Sequence, residues 1–195
     1  MEKEYFRLTT IPTPDMIRPK PVLQQWLSIL HDKMEKQEVS YEYYSNQMRA
    51  IRQDLTVQHI HDDFTVTVYE EHARSALCNN DMNEFNRCQT QLKDLYQRGL
   101  QSQNEIEFAC YQLLYGMFSQ QHLDCNAMLQ SLKVEQLSDP RIRLVLSVCV
   151  ALRREDSAGF FALWDRSDIP FECRHFMKQF FRRVRTTALQ SVFFT

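Results

Sequence analysis

Glycine is scarce in this chain, with only three among 195 residues, against an average of about 7%. Glycine supplies the positive φ angles of tight turns and lets the backbone approach a phosphate closely. A chain so poor in glycine is therefore expected to form helices with short connections rather than phosphate loops or β-hairpins. The sequence contains no nucleophile elbow, Walker loop or dinucleotide fingerprint. We expect an all-α protein without enzymatic activity, and without a metal or a cofactor.

Long apolar runs and paired cysteines are absent as well. No stretch approaches the roughly 18 apolar residues of a membrane span, and the charged residues 1–4 are not typical of a signal peptide. The six cysteines never show a C-x-x-C spacing, and each falls within an apolar helical pattern. This predicts reduced core cysteines in an intracellular protein. Cytosol and nucleus both stay open on these grounds.

The charge is not that of a general polyanion binder, because the net charge is −2 and the isoelectric point about 6.3. The distribution is uneven. Residues 1–140 carry 13 basic and 20 acidic side chains, whereas residues 141–195 carry 10 and 5. The basic end of the chain is thus its C-terminal quarter.

Helical periodicity dominates the chain. Residues 40–99 predict three amphipathic helices, with Ser40 and Asp81 at N-cap positions and Gly99 at a C-cap position. Helix pairs begin near positions 21, 61, 103, 138 and 170, a spacing typical of tetratricopeptide or HEAT repeats, although the pairs show no self-similarity. We expect an α-solenoid of stacked antiparallel helix pairs in residues 21–195.

Residues 1–20 predict an extended, proline-rich N-terminal arm, because three prolines within eight positions forbid a continuous helix. Apolar side chains at positions 5, 6, 8, 11 and 16 are the expected anchors of this arm on the helices. The alternative is that residues 1–20 form a loose tail that is not held on the helices.

Several local patterns give sharper expectations. Residues 64–69 alternate like a β-strand, but Ile60, Phe64 and Val68 fit a helical stripe, and we predict a helix. A short helix is predicted around residues 123–132. The helix that begins at Pro140 is apolar nearly all round and is expected to be central and buried, and a single last helix is expected to begin at Ile169-Pro170.

Candidate chemistry is sparse. His59 would share a helical face with Asp62 and Asp63, a spacing that could supply a nitrogen and a carboxylate to a metal, but acids at a helix start serve the macrodipole equally well. Cys173 and His175 are close in sequence, yet side chains two positions apart on a helix point about 200° apart and cannot meet. We expect no catalytic residue.

The last helix carries a basic stripe beside an apolar face with an aromatic anchor, formed by Phe176, Phe180, Val184 and Ala188. A row of cations of this kind contacts nucleic-acid phosphates in a salt-sensitive manner. It could equally face an acidic protein partner or solvent. The residues of this C-terminal basic stripe are Arg174, His175, Lys178, Arg182, Arg183 and Arg185.

Several longer sequence words stand out in the first half of the chain. They are RPKPVL at 18–23, MRAIRQDLTVQHI at 48–60, YEEHAR at 69–74 and CQTQLK at 88–93. Together they resemble the signature region of the GANP (germinal-centre-associated nuclear protein, SAC/GANP domain) family of mRNA-processing and export scaffolds. The likeness is strongest to the shorter, leukocyte-receptor-cluster-like branch.

This resemblance implies a PCI-like helical solenoid that assembles with a PCI-domain protein, which in turn binds a small acidic Sem/Dss subunit. It also implies contact with RNA, a nuclear location and a role in transcription-coupled processing, splicing or export of mRNA. An alternative is a structural subunit of a proteasome-lid, signalosome or initiation-factor complex. The signature positions, for which we expect a buried polar network, are Arg49, Arg52, Asp54, Gln58, His59, Glu84, Asn86, Gln89 and Gln91.

In the family, a winged helix follows the helical part, and residues 182–189 resemble the helix that precedes it. Such a module needs about 70–80 further residues. We therefore expect residues 1–195 to hold the PCI-like helical part without the winged helix. Dimerisation through winged helices is in doubt for this chain.

Overall fold

The computed structural model describes residues 1–6, 13–119, 129–130 and 132–193. All regular structure in these residues is helical, so the all-α prediction is confirmed. The chain divides into two compact units, Met1–Ser102 and Gln103–Thr195. Within each unit, every helix packs against at least one other helix of the same unit, as expected for stacked helix pairs. None of the helices found in these ranges is long and apolar enough to cross a bilayer.

The first unit contains four helices after a 3₁₀ turn at Pro14–Met16, and each of them packs on the next. They are α1 (Lys20–Glu35), α2 (Tyr41–Val57), α3 (Asp63–Cys78) and α4 (Met82–Gln97). The strand-like stretch at 64–69 lies inside α3, so the helix prediction is confirmed. In that helix Val68 joins a core with residues of α1 and α2, among them Leu23, Leu30, Met48 and Ile51.

The predicted caps are present. The Ser40 hydroxyl accepts a hydrogen bond from the Tyr43 amide, and the Asp81 carboxylate accepts one from the Glu84 amide. Gly99 has a φ of 90° beyond the end of α4, and the Leu100 amide reaches back to the Leu95 carbonyl at 3.3 Å. Only glycine adopts this left-handed conformation without strain. Local sequence therefore sets the ends of α2 and α4.

The second unit contains shorter helices. They are α5 (Glu105–Phe118), α6 (Val134–Leu137), α7 (Pro140–Arg153), α8 (Ser157–Trp164), α9 (Phe171–Met177) and α10 (Phe181–Phe193). Its core is aromatic: the Phe176 and Phe180 rings stack at 6.2 Å, and each packs edge-on against Phe118. The Phe160 ring meets Phe180 at 6.5 Å. Most of the helix predicted around 123–132 lies outside the described residues.

Two predictions for the second unit are wrong. α7 is not buried all round, because Arg141, Arg143 and Ser147 face solvent and Val150 is 47% exposed. One apolar face of the helix is buried, and apolar side chains outside that face, such as Val150, are exposed. The last helix is also not continuous, since a 3₁₀ turn at Lys178–Phe180 separates α9 from α10. This tightened turn coincides with the buried stack of Phe176 and Phe180.

A pH-dependent contact joins α1 to α3. His31 Nε2 lies 2.8 Å from Glu71 Oε2, and this hydrogen bond raises the pKa of His31 above its usual value, against the opposing effect of partial burial. The contact therefore stabilises the fold fully below the unfolded-state pKa of about 6.5, and this contribution is lost as the pH rises through the folded-state pKa. Because the His31 side chain is 41% exposed, solvent screening limits the contribution to less than about 1 kcal/mol.

His31→Gln is accordingly expected to lower the free energy of unfolding more at pH 5.5 than at pH 8.5. Urea titrations at the two pH values measure the difference. In a Glu71→Gln background the pH-dependent effect of the same substitution should shrink, because only the weaker charge effects of Glu35 and Asp32 then raise the pKa of His31. An equal loss at both pH values would show that the contact does not titrate.

Candidate functional site

Three arginines converge on one buried carboxylate between α2 and α4. Arg49 Nε donates to Glu84 Oε2 at 2.8 Å, Arg52 Nη2 pairs with Oε1, and Arg87 Nη1 lies 3.5 Å from Oε2. The Glu84 side chain is fully buried, whereas Arg87 is 71% exposed. We call these four residues the Glu84 cluster. They connect two helices that are not adjacent in the chain.

The local sequence explains how the Glu84 cluster forms. Arg49 and Arg52 are three positions apart on α2, so they share one face of that helix. Asp81 caps α4 and thereby places Glu84 in its first turn, where the helix dipole favours a negative charge. Two cations of α2 therefore meet a carboxylate that its own helix already stabilises.

Further polar groups lie beside Arg52. Its Nη1 donates to Cys88 Sγ at 2.7 Å, and its guanidinium lies 5.2 Å from the centre of the Tyr69 ring. His72 Nε2 lies 3.0 Å from Ser45 Oγ. Potential ligand atoms of His72, Glu84 and Cys88 are all within 4.8 Å of one another. A histidine, a carboxylate and a cysteine this close together are the types of side chain that form metal sites and catalytic triads.

The chemistry of this trio does not fit a metal ion. Burial raises the pKa of the Cys88 thiol to about 12, and metals bind the thiolate. Burial and then the charges of Arg52 and Arg49 lower the pKa of His72, which keeps the imidazole in the neutral form that metals bind, so Cys88 and Glu84 are the residues that disfavour a metal. The Glu84 oxygens already accept from the arginines. An added cation would have to displace these guanidiniums, so the trio is a structural cluster.

A second buried carboxylate, Asp54, holds the N-terminal segment on α2. Arg18 Nε donates to Asp54 Oδ2 at 2.6 Å, and Lys3 pairs with Oδ1. Gln58 Nε2 donates to the Arg18 carbonyl at 2.9 Å. We call Lys3, Arg18 and Asp54 the Asp54 cluster. It joins residues 51 positions apart in the chain.

The anchors of the N-terminal segment are therefore polar rather than apolar. Of the apolar anchors expected from the sequence, Tyr5, Phe6 and Met16 are 40%, 65% and 63% exposed, and positions 8 and 11 lie outside the described residues. Amide side chains of α2 bind the backbone instead. Asn46 Oδ1 accepts from the Tyr5 amide at 3.0 Å, and Gln53 Nε2 donates to the Phe6 carbonyl at 2.7 Å.

The signature residues differ in their surroundings. Arg49, Arg52 and Glu84 belong to the Glu84 cluster and Asp54 to the Asp54 cluster. Gln58 donates to the backbone of Arg18, and Gln89 is buried at 3% exposure. His59, Asn86 and Gln91 lie at the surface. Some signature positions therefore lie in buried polar clusters, and others do not.

The metal-like spacing at His59 has a different explanation. His59 ends α2 with a φ of 53°, and the Ile60 amide bonds to the Leu55 carbonyl beyond it. Asp62 begins α3 as its N-cap and pairs with Lys20 at 2.5 Å. The two residues belong to a connection and not to one helical face, so the assumed geometry was wrong.

An open groove with a volume of about 530 Å³ runs between α2 and α4. None of the described residues that line it is acidic. Sequence reasoning missed this α2–α4 groove because its walls come from helices about 35 positions apart and no local motif marks them. The lining residues are Tyr5, Arg49, Arg52, Gln53, Thr56, Val57, Tyr69, Asn86, Arg87, Thr90 and Gln91.

The C-terminal basic stripe is divided by exposure. Lys178, Arg182 and Arg185 face solvent, and the Arg185 guanidinium lies 5.3 Å from the Phe181 ring. Arg174, His175 and Arg183 are only partly exposed. Arg174 donates to the Arg166 carbonyl and Arg183 Nη1 to the Met117 carbonyl at 3.5 Å.

Cys173 and His175 both lie in α9, two positions apart. Cys173 is buried at 3% exposure, and the His175 ring lies beside Phe171 with 6.3 Å between the ring centres. Helical geometry directs the two side chains away from each other. They do not form a nucleophile and base pair.

The sequence was compared with known proteins. The family model described as the SAC3/GANP family matches residues 1–194. A THP3 homolog from Schizosaccharomyces pombe is 43% identical over 84% of this chain and 41% of its own length. The Leukocyte receptor cluster member 8 homolog from Xenopus laevis is 39% identical over 97% of this chain and 23% of its own length. Protein THP3 from Saccharomyces cerevisiae is 42% identical over 63% and 26%.

The chain spans less than half the length of each of these relatives. The family predicted from the sequence words is confirmed, and the relatives include a protein of the predicted leukocyte-receptor-cluster branch. The signature words and the family model lead to the same assignment. The chain belongs to the SAC3/GANP family.

Proposed function

We propose that this chain is a non-enzymatic scaffold in nuclear mRNA biogenesis. It assembles with a PCI-domain protein and, through that protein, with a small acidic Sem/Dss subunit, and it contacts RNA. The observation that carries the proposal is the family match over residues 1–194. The relatives named THP3 and the SAC3 family protein A of Arabidopsis thaliana support it.

The arrangement of polar groups agrees with a scaffold. His72, Glu84 and Cys88, whose potential ligand atoms lie within 4.8 Å of one another, are all buried. A thiol with a pKa of about 12 is almost entirely protonated at neutral pH and is a poor nucleophile. The Glu84 carboxylate is held by arginines and is no free base. These groups stabilise helix packing, which leaves binding as the function of the surface.

The RNA contact is assigned to the exposed part of the C-terminal basic stripe. Lys178, Arg182 and Arg185 face solvent, and the sequence has no acidic residue from 173 to 195. Nothing in this segment neutralises the three cations locally. Long cationic side chains of this kind suit phosphates, which bind without regard to base sequence.

Binding of the 195-residue chain to single-stranded RNA across a salt series tests this assignment. The affinity is expected to fall steeply with salt, by about 0.7 in the logarithmic slope for each phosphate contact. Changing Lys178, Arg182 and Arg185 together to Gln should reduce the slope by about 2. The matched control changes Arg143, Arg153 and Arg154, which are exposed on or next to α7, to Gln. Equal losses in both variants would contradict the assignment.

Affinity purification of the protein from nuclear extract tests the partner. Stoichiometric recovery of a PCI-domain protein that acts in mRNA processing is the expected result. Recovery of proteasome-lid, signalosome or initiation-factor subunits in its place would favour the alternative complex and overturn the proposed one.

A further inference from the structure

The α2–α4 groove is a cationic surface in the acidic part of the chain. Residues 1–140 carry 20 acidic and 13 basic side chains, yet the described residues that line the groove include three arginines and no carboxylate. Glu84 is fully buried beneath the arginines, and Asp81, which is 27% exposed, lies 3.8 Å from Arg49. Three cations against these two carboxylates leave a net positive charge on this face, and an anionic ligand complements it.

We propose that the α2–α4 groove binds single-stranded RNA, with a phosphate between Arg49 and Arg87 and a base against Tyr5. This site lies in the first unit. It goes beyond the proposed function, which places the RNA contact on Lys178, Arg182 and Arg185 of the second unit. The two sites bind the same kind of ligand, and each can be tested separately.

The phosphate position follows from the free edges of two arginines. Arg49 is 31% exposed and contacts Glu84 through Nε and Nη2, so these contacts leave its Nη1 amino group to donate elsewhere. Arg87 is 71% exposed, and its contact with Glu84 is long, at 3.5 Å. Both guanidiniums can therefore turn to a phosphate without breaking the pairing of Arg52 with Glu84. Arginine suits this role because its planar fork matches phosphate oxygens.

The base position follows from Tyr5 and the amides of α4. The ring of Tyr5 is 40% exposed, while hydrogen bonds from α2 fix the backbone on both sides of it. A ring held in this way is a stacking platform for an unpaired base. Asn86 and Gln91 are exposed on the opposite wall, and their amides both donate and accept, as base edges require.

Size and composition favour RNA over an acidic peptide. An open groove of about 530 Å³ has the dimensions of a small-ligand site and holds roughly one nucleotide, not a duplex. An acidic peptide would use the arginines but leave the aromatic platform and the amide wall without a matching group. A nucleotide uses all three.

Fluorescence anisotropy of the 195-residue chain with a labelled 12-nucleotide single-stranded RNA tests the groove. Tyr5→Ala is expected to weaken binding about fivefold or more, and Arg87→Gln to lower the salt slope by about 0.7. The control is Arg98→Gln, at an arginine next to α4 that pairs with Asp94 outside the groove and is 54% exposed. Since Tyr5 and Arg87 are exposed, unchanged thermal melting should confirm that all three variants fold.

The same variants are measured in the background with Lys178, Arg182 and Arg185 changed to Gln. Losses that persist there support the groove even if the stripe on the last helix binds no RNA. Wild-type affinity and salt slope in Tyr5→Ala and Arg87→Gln would overturn the inference and leave the stripe as the RNA contact. A 12-residue poly-glutamate peptide that binds as tightly as the RNA, and more weakly in Arg87→Gln, would assign the groove to acidic peptides and equally overturn it.

Discussion

Glu84→Gln is expected to lower the free energy of unfolding of the first unit by about 3–5 kcal/mol. The substitution keeps the shape of the side chain but removes the one negative charge on which Arg49, Arg52 and Arg87 converge. Arg52, whose side chain is only 13% exposed, would be left as a buried cation without a carboxylate. Breaking a buried pair on one side costs far more than a surface pair contributes.

Tryptophan fluorescence can report this unit alone. Trp26 lies in the core of the first unit and Trp164 in the second, so a Trp164→Phe background isolates the signal of Trp26 during urea unfolding. Asp94→Asn is the matched control, because it removes a carboxylate of the same helix from an exposed pair with Arg98. Its expected cost is at most about 1 kcal/mol. Similar costs for both substitutions would show that the Glu84 cluster does not hold the helices together.

Asp54→Asn is expected to cost about 2–3 kcal/mol and to release the N-terminal segment from α2. Asp54 is 1% exposed and receives both Lys3 and Arg18. The cost is smaller than for Glu84, because Lys3 is 27% exposed and can turn its charge to water. Urea unfolding followed through Trp26 measures the loss of stability, and trypsin cleavage after Lys3 or Arg7 measures the release, since Arg18 and Lys20 precede prolines and resist trypsin.

The control for Asp54 is Glu42→Gln, which removes an exposed carboxylate from the first turn of the same helix. It should leave trypsin cleavage after Lys3 or Arg7 unchanged and have little effect on stability, because this carboxylate is exposed to solvent. If Asp54→Asn is cleaved no faster than the unaltered chain, the amide side chains of α2 suffice to hold the segment and the Asp54 cluster is dispensable.

The features that the sequence predicts well are the local ones. Ser40, Asp81 and Gly99 mark helix ends because a cap needs only a side chain or a φ angle and the backbone within three or four positions. α3 is predicted despite its strand-like alternation, since Phe64 and Val68 also lie four positions apart on one helical face. The sequence words identify the family for a related reason, as they are contiguous.

The features that the sequence did not predict depend on distant residues. The Glu84 cluster and the α2–α4 groove join α2 to α4 across about 35 positions, and no spacing rule links Arg49 to Arg87. α7 was predicted to be buried, but one of its faces is exposed. An apolar pattern does not show how many neighbouring helices will cover a helix. His59 was misplaced since the left-handed residue that ends α2 carries a histidine where a glycine would have been recognised.

The functional residues proposed here separate by exposure rather than by residue type. Arg52 is buried in a structural cluster, while Arg87, Lys178, Arg182 and Arg185 present their charge to solvent. An arginine in a family signature word is therefore not by itself evidence for ligand binding. Its exposure to solvent decides whether it can reach a bound RNA.

Ultraviolet cross-linking of the 195-residue chain to a single-stranded RNA that contains 4-thiouridine tests whether this helical scaffold contacts RNA through its exposed cations. Mass spectrometry of the cross-linked peptides locates each contact. We expect adducts within residues 171–193 and within peptides that carry Tyr5 or residues 82–97, all of them lost at high salt. Adducts confined to other surfaces, or none at low salt, would contradict this expectation.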